Sequence, residues 1–130
     1  MDFKRIKLEN KNIITDIKCS DELALLIKQN ECVIIKISAS WCGPCKNKIF
    51  IKNYHDIVES YKNIDNIKFV ELDADIHVDI LNNQEKFGFT VDSVPTFIIK
   101  FKNDITHIFT GINCLNDIIK ILNNNKCKFN

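Results

Sequence analysis

Two spacings of apolar residues alternate along the chain. Ile13-Ile14-Thr15-Asp16-Ile17 reads as a short strand. Leu23, Leu26 and Ile27 then share one face of a helix. Ser20 stands where its hydroxyl can cap that helix, and Asp21 and Glu22 stand where the helix dipole favours anions. Val33-Ile34-Ile35-Lys36-Ile37 is a short apolar run rich in branched residues, the pattern of a buried central strand. Helical spacing returns with Phe50, Tyr54, Ile57, Val58 and Tyr61, whose aromatic rings are read as core packing. Ile67 to Leu72 predicts another strand, and about Val78 to Phe87 a third helix. Thr96 to Phe101 and Ile105 to Phe109 predict two strands joined by a tight turn at Lys102-Asn103-Asp104. Gly111 follows, and Leu115, Ile118, Ile119 and Leu122 mark a last helix with Asn113 as its cap.

The predicted order is β-α-β-α-β-α-β-β-α. Alternation first and a hairpin last imply an α/β domain, with a central mixed sheet, helices on both faces, and a closing hairpin and C-terminal helix. No internal repeat or linker interrupts it. The expected domain covers residues 13–125, with an N-terminal extension over 1–12 and a C-terminal tail over 126–130. The Asn-rich ends, Asn123-Asn124-Asn125 included, read as frayed.

Composition narrows the function classes. The 130 residues are 45% hydrophobic and 27% charged, enough for one core without a disulfide or metal staple. Lys+Arg is 18 against 17 Asp+Glu, a formal charge of +1, so nothing argues for nucleic acid, an anionic membrane or a highly acidic partner. The heavy use of Ile, Lys and Asn is read as a bias of the coding genome. Charges recur every second or third residue from Met1 to Glu9, which does not fit a secretory signal, and no stretch approaches a membrane span of about 18 apolar residues. The expected setting is the cytoplasm, or an organelle if a leader was removed.

There are 6 cysteines, and only Cys42 and Cys45 lie close together. Cys19, Cys32, Cys114 and Cys127 are scattered, which fits neither a disulfide framework nor paired zinc ligands, so no metal is expected. His55, His77 and His107 are isolated and receive no role.

The sequence Trp41-Cys42-Gly43-Pro44-Cys45-Lys46 falls at a strand-to-helix junction. The attacking species in disulfide exchange is the thiolate, and unpaired N–H groups at a helix N-terminus stabilise it. Cys42 is therefore the expected nucleophile. Cys45 lies about one turn further on, is expected to be less exposed, and can resolve the mixed disulfide formed on Cys42. Pro44 has no N–H to lose in the first turn and stiffens the loop. Gly43 leaves room for a partner, and Trp41 shapes the surface beside Cys42.

That hexapeptide is identical to the motif of the thioredoxins, and Val94-Pro95-Thr96 resembles the family's Ile/Val-Pro-Thr downstream. Val33 to Ser38, the Leu72-Asp73 region, the hairpin and Gly111 also fall in family order, so the resemblance runs from about Ile13 to Leu122. It implies a thioredoxin fold and a dithiol–disulfide cycle at Cys42 and Cys45. It further implies a cis bond before Pro95, with the Val94 backbone placed to pair with an extended substrate and the proline ring keeping metals from the two sulfurs. Disulfide-containing proteins would be the substrates. A thioredoxin-reductase-like flavoprotein drawing on NADPH would recycle the dithiol, no cofactor would bind this chain, and a monomer is the default.

The chain also departs from the resemblance. Thioredoxins typically bury an aspartate six positions before the nucleophile; here that position is Lys36. Many members place a lysine on the neighbouring strand; here that position is Glu71. A reversed pair, Lys36 with Glu71, is therefore expected, since an unpaired buried charge is costly. A Lys36 ammonium near Cys45 would lower the thiol pKa, where a carboxylate would raise it. The competing expectation is that Lys36 extends to solvent. Phe50 replaces a proline common in the family, the stretch from Asp75 to Val94 is longer, and about ten residues are added at the N-terminus.

Two other functions fit a dithiol on this frame. One is a secretory-type disulfide oxidase or isomerase, whose relatives usually carry histidine in place of Pro44. The other is an interaction module in which redox activity is incidental.

Overall fold

The computed structural model describes residues 14–129. Its elements run β1 (Ile14–Thr15), α1 (Ser20–Gln29), β2 (Cys32–Ser38), a 3-10 turn at Pro44–Lys46, α2 (Lys48–Ser60), β3 (Ile67–Asp73), α3 (Val78–Asn82), a 3-10 turn at Gln84–Phe87, β4 (Thr96–Phe101), β5 (Thr106–Thr110), α4 (Leu115–Asn124) and a 3-10 turn at Lys126–Lys128. The five strands form one sheet in the order β1-β3-β2-β4-β5. β1–β3 and β2–β3 are parallel; β2–β4 and β4–β5 are antiparallel. This is the mixed sheet that the alternation and the final hairpin imply.

Alternation along the strands sorts the core into two layers. Cys32 and Ile34 of β2, Phe69 of β3 and Phe97, Ile99 and Phe101 of β4 meet α2 and α4 through Phe50, Tyr54, Ile57, Ile118 and Leu122. Val33, Ile35 and Ile37, with Val70, Leu72 and Ile98, meet α1 and α3 through Leu23 and Ile80. β2 and β4 are covered on both sides, so they carry continuous apolar runs interrupted by Lys36 and Lys100. Lys100 is accommodated because its Nζ donates to the Phe87 carbonyl at 2.6 Å and to Thr106 Oγ1 at 3.0 Å. Asp104 occupies the left-handed region in the hairpin turn, φ 70°, a conformation Asp tolerates better than most residues.

Several local expectations are corrected. The first strand is reduced to Ile14–Thr15; Ile13 and the extension 1–12 lie outside the described residues. Ser20 is not the cap of α1 but its first residue, because its hydroxyl is engaged by Asp79 Oδ2 at 2.8 Å, 59 residues away. Asn113 does not cap α4; the preceding position is Cys114, whose Sγ instead reaches the Gly111 carbonyl at 3.1 Å. The helix expected over 78–87 breaks at Asn83 into a short α-helix and a 3-10 turn, ended by Gly88 at φ 75°. At the C-terminal end α4 runs through Asn124, across most of the Asn-rich stretch. Lys126–Lys128 turn the chain, and Phe129 meets Tyr61 edge-on, ring centroids 6.2 Å apart.

Among the described residues no helix is long and apolar enough to cross a membrane.

Candidate functional site

β2 delivers the chain to Ala39, and the next six residues carry Cys42 and Cys45. The two sulfurs form a disulfide, with Cα atoms 5.3 Å apart. The dithiol does not open an α-helix directly, as the sequence pattern suggested. It leads into the 3-10 turn at Pro44–Lys46, and α2 begins afresh at Lys48, capped by Asn47 Oδ1, which accepts from the Phe50 N–H at 3.0 Å. Asn47 is a better N-cap than any residue nearer the cysteines, which explains the delayed start. Pro44 opens the 3-10 turn, where its missing N–H costs nothing.

The N–H geometry needed for a thiolate is nonetheless present. The Cys45 backbone N–H donates to Cys42 Sγ at 3.2 Å, and the same sulfur lies 3.6 Å from the Val94 carbonyl oxygen. Ala39, Ala74 and Val94 pack around both cysteines. The expected asymmetry of exposure is absent in this oxidised form: Cys42 is 4% exposed and Cys45 is 7%. Cys42 is covered by the side chains of Ala39, Ala74 and Val94 packed around the disulfide.

Val94-Pro95 is a cis peptide. The loop is held from both sides: Thr96 Oγ1 donates to the Ser93 carbonyl at 2.6 Å, and the Gly111 N–H donates to the Pro95 carbonyl at 2.9 Å. Gly111 sits at φ 92°, a conformation that favours glycine.

Trp41 is 68% exposed beside the disulfide. Its indole N–H donates to Asp75 Oδ1 at 3.4 Å, and Ser40 Oγ reaches Asp75 Oδ2 at 3.5 Å. The Asp75 N–H in turn donates to Asp73 Oδ1 at 2.8 Å. A Cβ built on Gly43 would meet nothing within 4 Å, so this rim is open. Sequence reasoning missed Asp75, since nothing local links an aspartate after β3 to an indole 34 positions earlier.

Lys36 and Glu71 are brought together. They are register partners on β2 and β3, and Lys36 Nζ lies 3.7 Å from Glu71 Oε1. The side chains are 8% and 35% exposed, so Lys36 does not extend to solvent. Its ammonium lies over the Tyr54 ring at 5.1 Å and the Phe50 ring at 5.6 Å, a favourable placement for a cation leaving water. His55 Nε2 approaches the same oxygen at 3.8 Å. Neither approach is a hydrogen bond by length, so it is the Lys36 ammonium that holds Oε1 by charge. Burial pushes the Glu71 carboxyl up, but the His55 ring and the Lys36 ammonium outweigh it, and the net displacement is downward. His55 was missed because it flanks the buried stripe of α2 rather than lying on it.

The remaining cysteines stay apart from the disulfide. Cys32 and Cys114 are buried, Cys19 is half-buried and Cys127 is exposed. Burial pushes the Cys114 thiol up to about 11 and the Cys32 thiol further. Among the described residues no group of three or more His, Cys, Asp or Glu could hold a metal ion.

Comparison with known proteins agrees with this geometry. A family model described as Thioredoxin matches residues 16–124. A thioredoxin of Ophiophagus hannah is 34% identical over 82 residues, 62% of this chain and 68% of that protein. Human thioredoxin is 33% identical over 97 residues, 74% of this chain and 82% of that protein. The crystal structure of oxidised mitochondrial thioredoxin 3 from Saccharomyces cerevisiae matches with a TM-score of 0.68 at 30% identity, covering 87% of this chain and 99% of that one. The chain belongs to the thioredoxin family and is a thiol–disulfide oxidoreductase, with the Cys42–Cys45 pair in the active-site position.

Proposed function

We propose that the chain acts as a reductant of protein disulfides, with Cys42 as the attacking thiol and Cys45 as the resolving one. The observation that carries this reading is the Cys45 N–H directed at Cys42 Sγ, which stabilises negative charge on that sulfur. The Cys42 thiolate attacks one sulfur of the substrate disulfide. A Cys42–substrate disulfide forms, and the other substrate sulfur leaves as a thiolate that takes up a proton. Cys45, deprotonated, then attacks Cys42 Sγ; the Cys42–Cys45 disulfide forms and the second substrate thiol is released. Two electrons pass to the substrate. The Val94 backbone beside Cys42 supplies an acceptor for an extended substrate segment, with Pro95 holding that backbone in place and Trp41 and Gly43 forming the rim.

In the same reading Lys36 supplies positive charge that favours loss of the Cys45 proton, and Glu71 keeps that charge tolerable inside the fold. A flavoprotein reductase drawing on NADPH returns the two electrons, and flavin and nicotinamide act only there. The chain works as a monomer in a reducing compartment. The cytoplasm is the setting we propose, and the mitochondrial name of the yeast relative supports fractionating organelles alongside it.

Trapping tests the assignment. A Cys45→Ser variant mixed with a disulfide substrate accumulates a mixed disulfide located on Cys42 by peptide mass spectrometry. A Cys42→Ser variant that trapped substrate on Cys45 equally well would overturn the assignment.

A further inference from the structure

One oxygen of Glu71 faces both the Lys36 ammonium and the His55 ring. Oε1 lies 3.7 Å from Lys36 Nζ and 3.8 Å from His55 Nε2, and it accepts no hydrogen bond. The three groups come from β2, β3 and α2, so the contact is built by tertiary structure. Among the described residues Glu71 is the sole carboxylate within ion-pair distance of Lys36. Tyr54, beside His55 on the helix, lies under the Lys36 ammonium, and its buried hydroxyl has no partner. Lys36 is thus nearly sealed, whereas His55 is one-third exposed and can exchange protons with water.

The helix of His55 also carries Lys48, the exposed Lys52–Asp56 pair, 3.0 Å apart, and Glu59, one turn on from His55 and paired with Lys62 at 2.7 Å. The parallel register pairs Thr15 with Val70, so Asp16, just past the end of β1, follows in the row of Glu71. β4 places Phe97 opposite Lys36 and adds no charge to that row.

Histidine changes its charge between about pH 5 and 8. With a neutral imidazole, the Lys36 ammonium and the Glu71 carboxylate cancel. With a charged imidazole, one carboxylate oxygen is divided between two cations, and the cluster is net positive. A positive charge on the strand leading into the dithiol favours thiolate over thiol. We propose that His55 is a positioning residue for the exchange reaction: by sharing Glu71 with Lys36 it sets, in a proton-dependent way, how much of the Lys36 charge the Cys42–Cys45 dithiol feels. This rests on the role given to Lys36 in the proposed function.

Linkage makes the proposal testable in the wild-type chain. If a proton on His55 favours a thiolate, a thiolate must raise the proton affinity of His55 by the same amount. The experiment is an NMR pH titration of the His55 ring in the oxidised and the chemically reduced protein. The expected result is a midpoint higher in the reduced protein by about half a pH unit. Identical midpoints in the two redox states overturn the proposal. A second readout is the ratio of wild-type to His55→Gln rates of disulfide reduction across about pH 5 to 8. The ratio rises as pH falls, by about threefold if the coupling is half a pH unit; a ratio constant with pH also overturns the proposal. The ring titration needs no turnover, so a chain that reduced no substrate at any pH would sink the reductant reading while leaving the His55 result legible on its own.

Discussion

Lys36 and Glu71 are direct register partners across β2 and β3, their charged atoms stand 3.7 Å apart, and the Lys36 ammonium lies over the rings of Tyr54 and Phe50. The two partners are not equivalent. Lys36 is nearly sealed, while Glu71 keeps contact with water and with His55. Losing Glu71 therefore strands a buried ammonium, whereas losing Lys36 leaves a carboxylate that is still solvated. Glu71→Gln is expected to destabilise the fold by about 3 kcal/mol, more than Lys36→Met, and the double variant to recover most of the loss. Urea unfolding of the four proteins completes the cycle; equal losses in the two single variants would show that the pair is not held as described.

The same carboxylate makes a pH prediction. Glu71 titrates below its ordinary value in the folded chain because His55 and Lys36 outweigh the effect of burial. A depressed carboxylate contributes stability above its unfolded pKa, and that contribution is lost as pH falls through the lower folded value. The urea midpoint of the wild type should fall more steeply than that of Glu71→Gln across the acid range below the ordinary glutamate pKa. Parallel curves would contradict this.

Tyr54 offers a cleaner substitution. Its hydroxyl is buried without a partner, and burial followed by the Glu71 charge pushes its pKa well up. Removing an unsatisfied buried hydroxyl while keeping the ring costs little, so Tyr54→Phe should be neutral or stabilising by about 1 kcal/mol. A clear loss in thermal melting would reveal a hydrogen bond that the hydroxyl makes in solution.

Much of this was legible because the relevant physics is local. Val33–Ile37 read as a buried central strand and Thr96–Phe101 as a strand; both are strands, and both runs are buried. The Lys36–Glu71 pairing was legible through two coordinated departures from a family pattern. The cis bond before Pro95 was legible only through the resemblance, since a lone Val-Pro carries no such instruction. What escaped depended on distant partners. Ser20 looked like a cap until Asp79 claimed its hydroxyl, and Asp75 gained importance only when the fold set it against Trp41. Asn47 displaced the cysteines from the start of α2 because its side chain, rather than a loop peptide, satisfies the free Phe50 N–H in the first turn.

The lone cysteines separate by burial and thiol acidity. With the dithiol oxidised, iodoacetamide at about pH 8 should modify exposed Cys127 first, half-buried Cys19 more slowly, and Cys32 and Cys114 only in denaturant. Mass spectrometry of the labelled peptides gives the order; early labelling of Cys114 would mean that the Gly111–Cys114 turn opens readily.

The most direct test of the reductant account is the equilibrium reduction potential of Cys42–Cys45, titrated against a thiol buffer and followed by Trp41 fluorescence. The account predicts a midpoint near about −270 mV, the figure associated with thioredoxin. A midpoint near about −180 mV, in the range of disulfide isomerases, would contradict it and make this chain an oxidant built on the same fold.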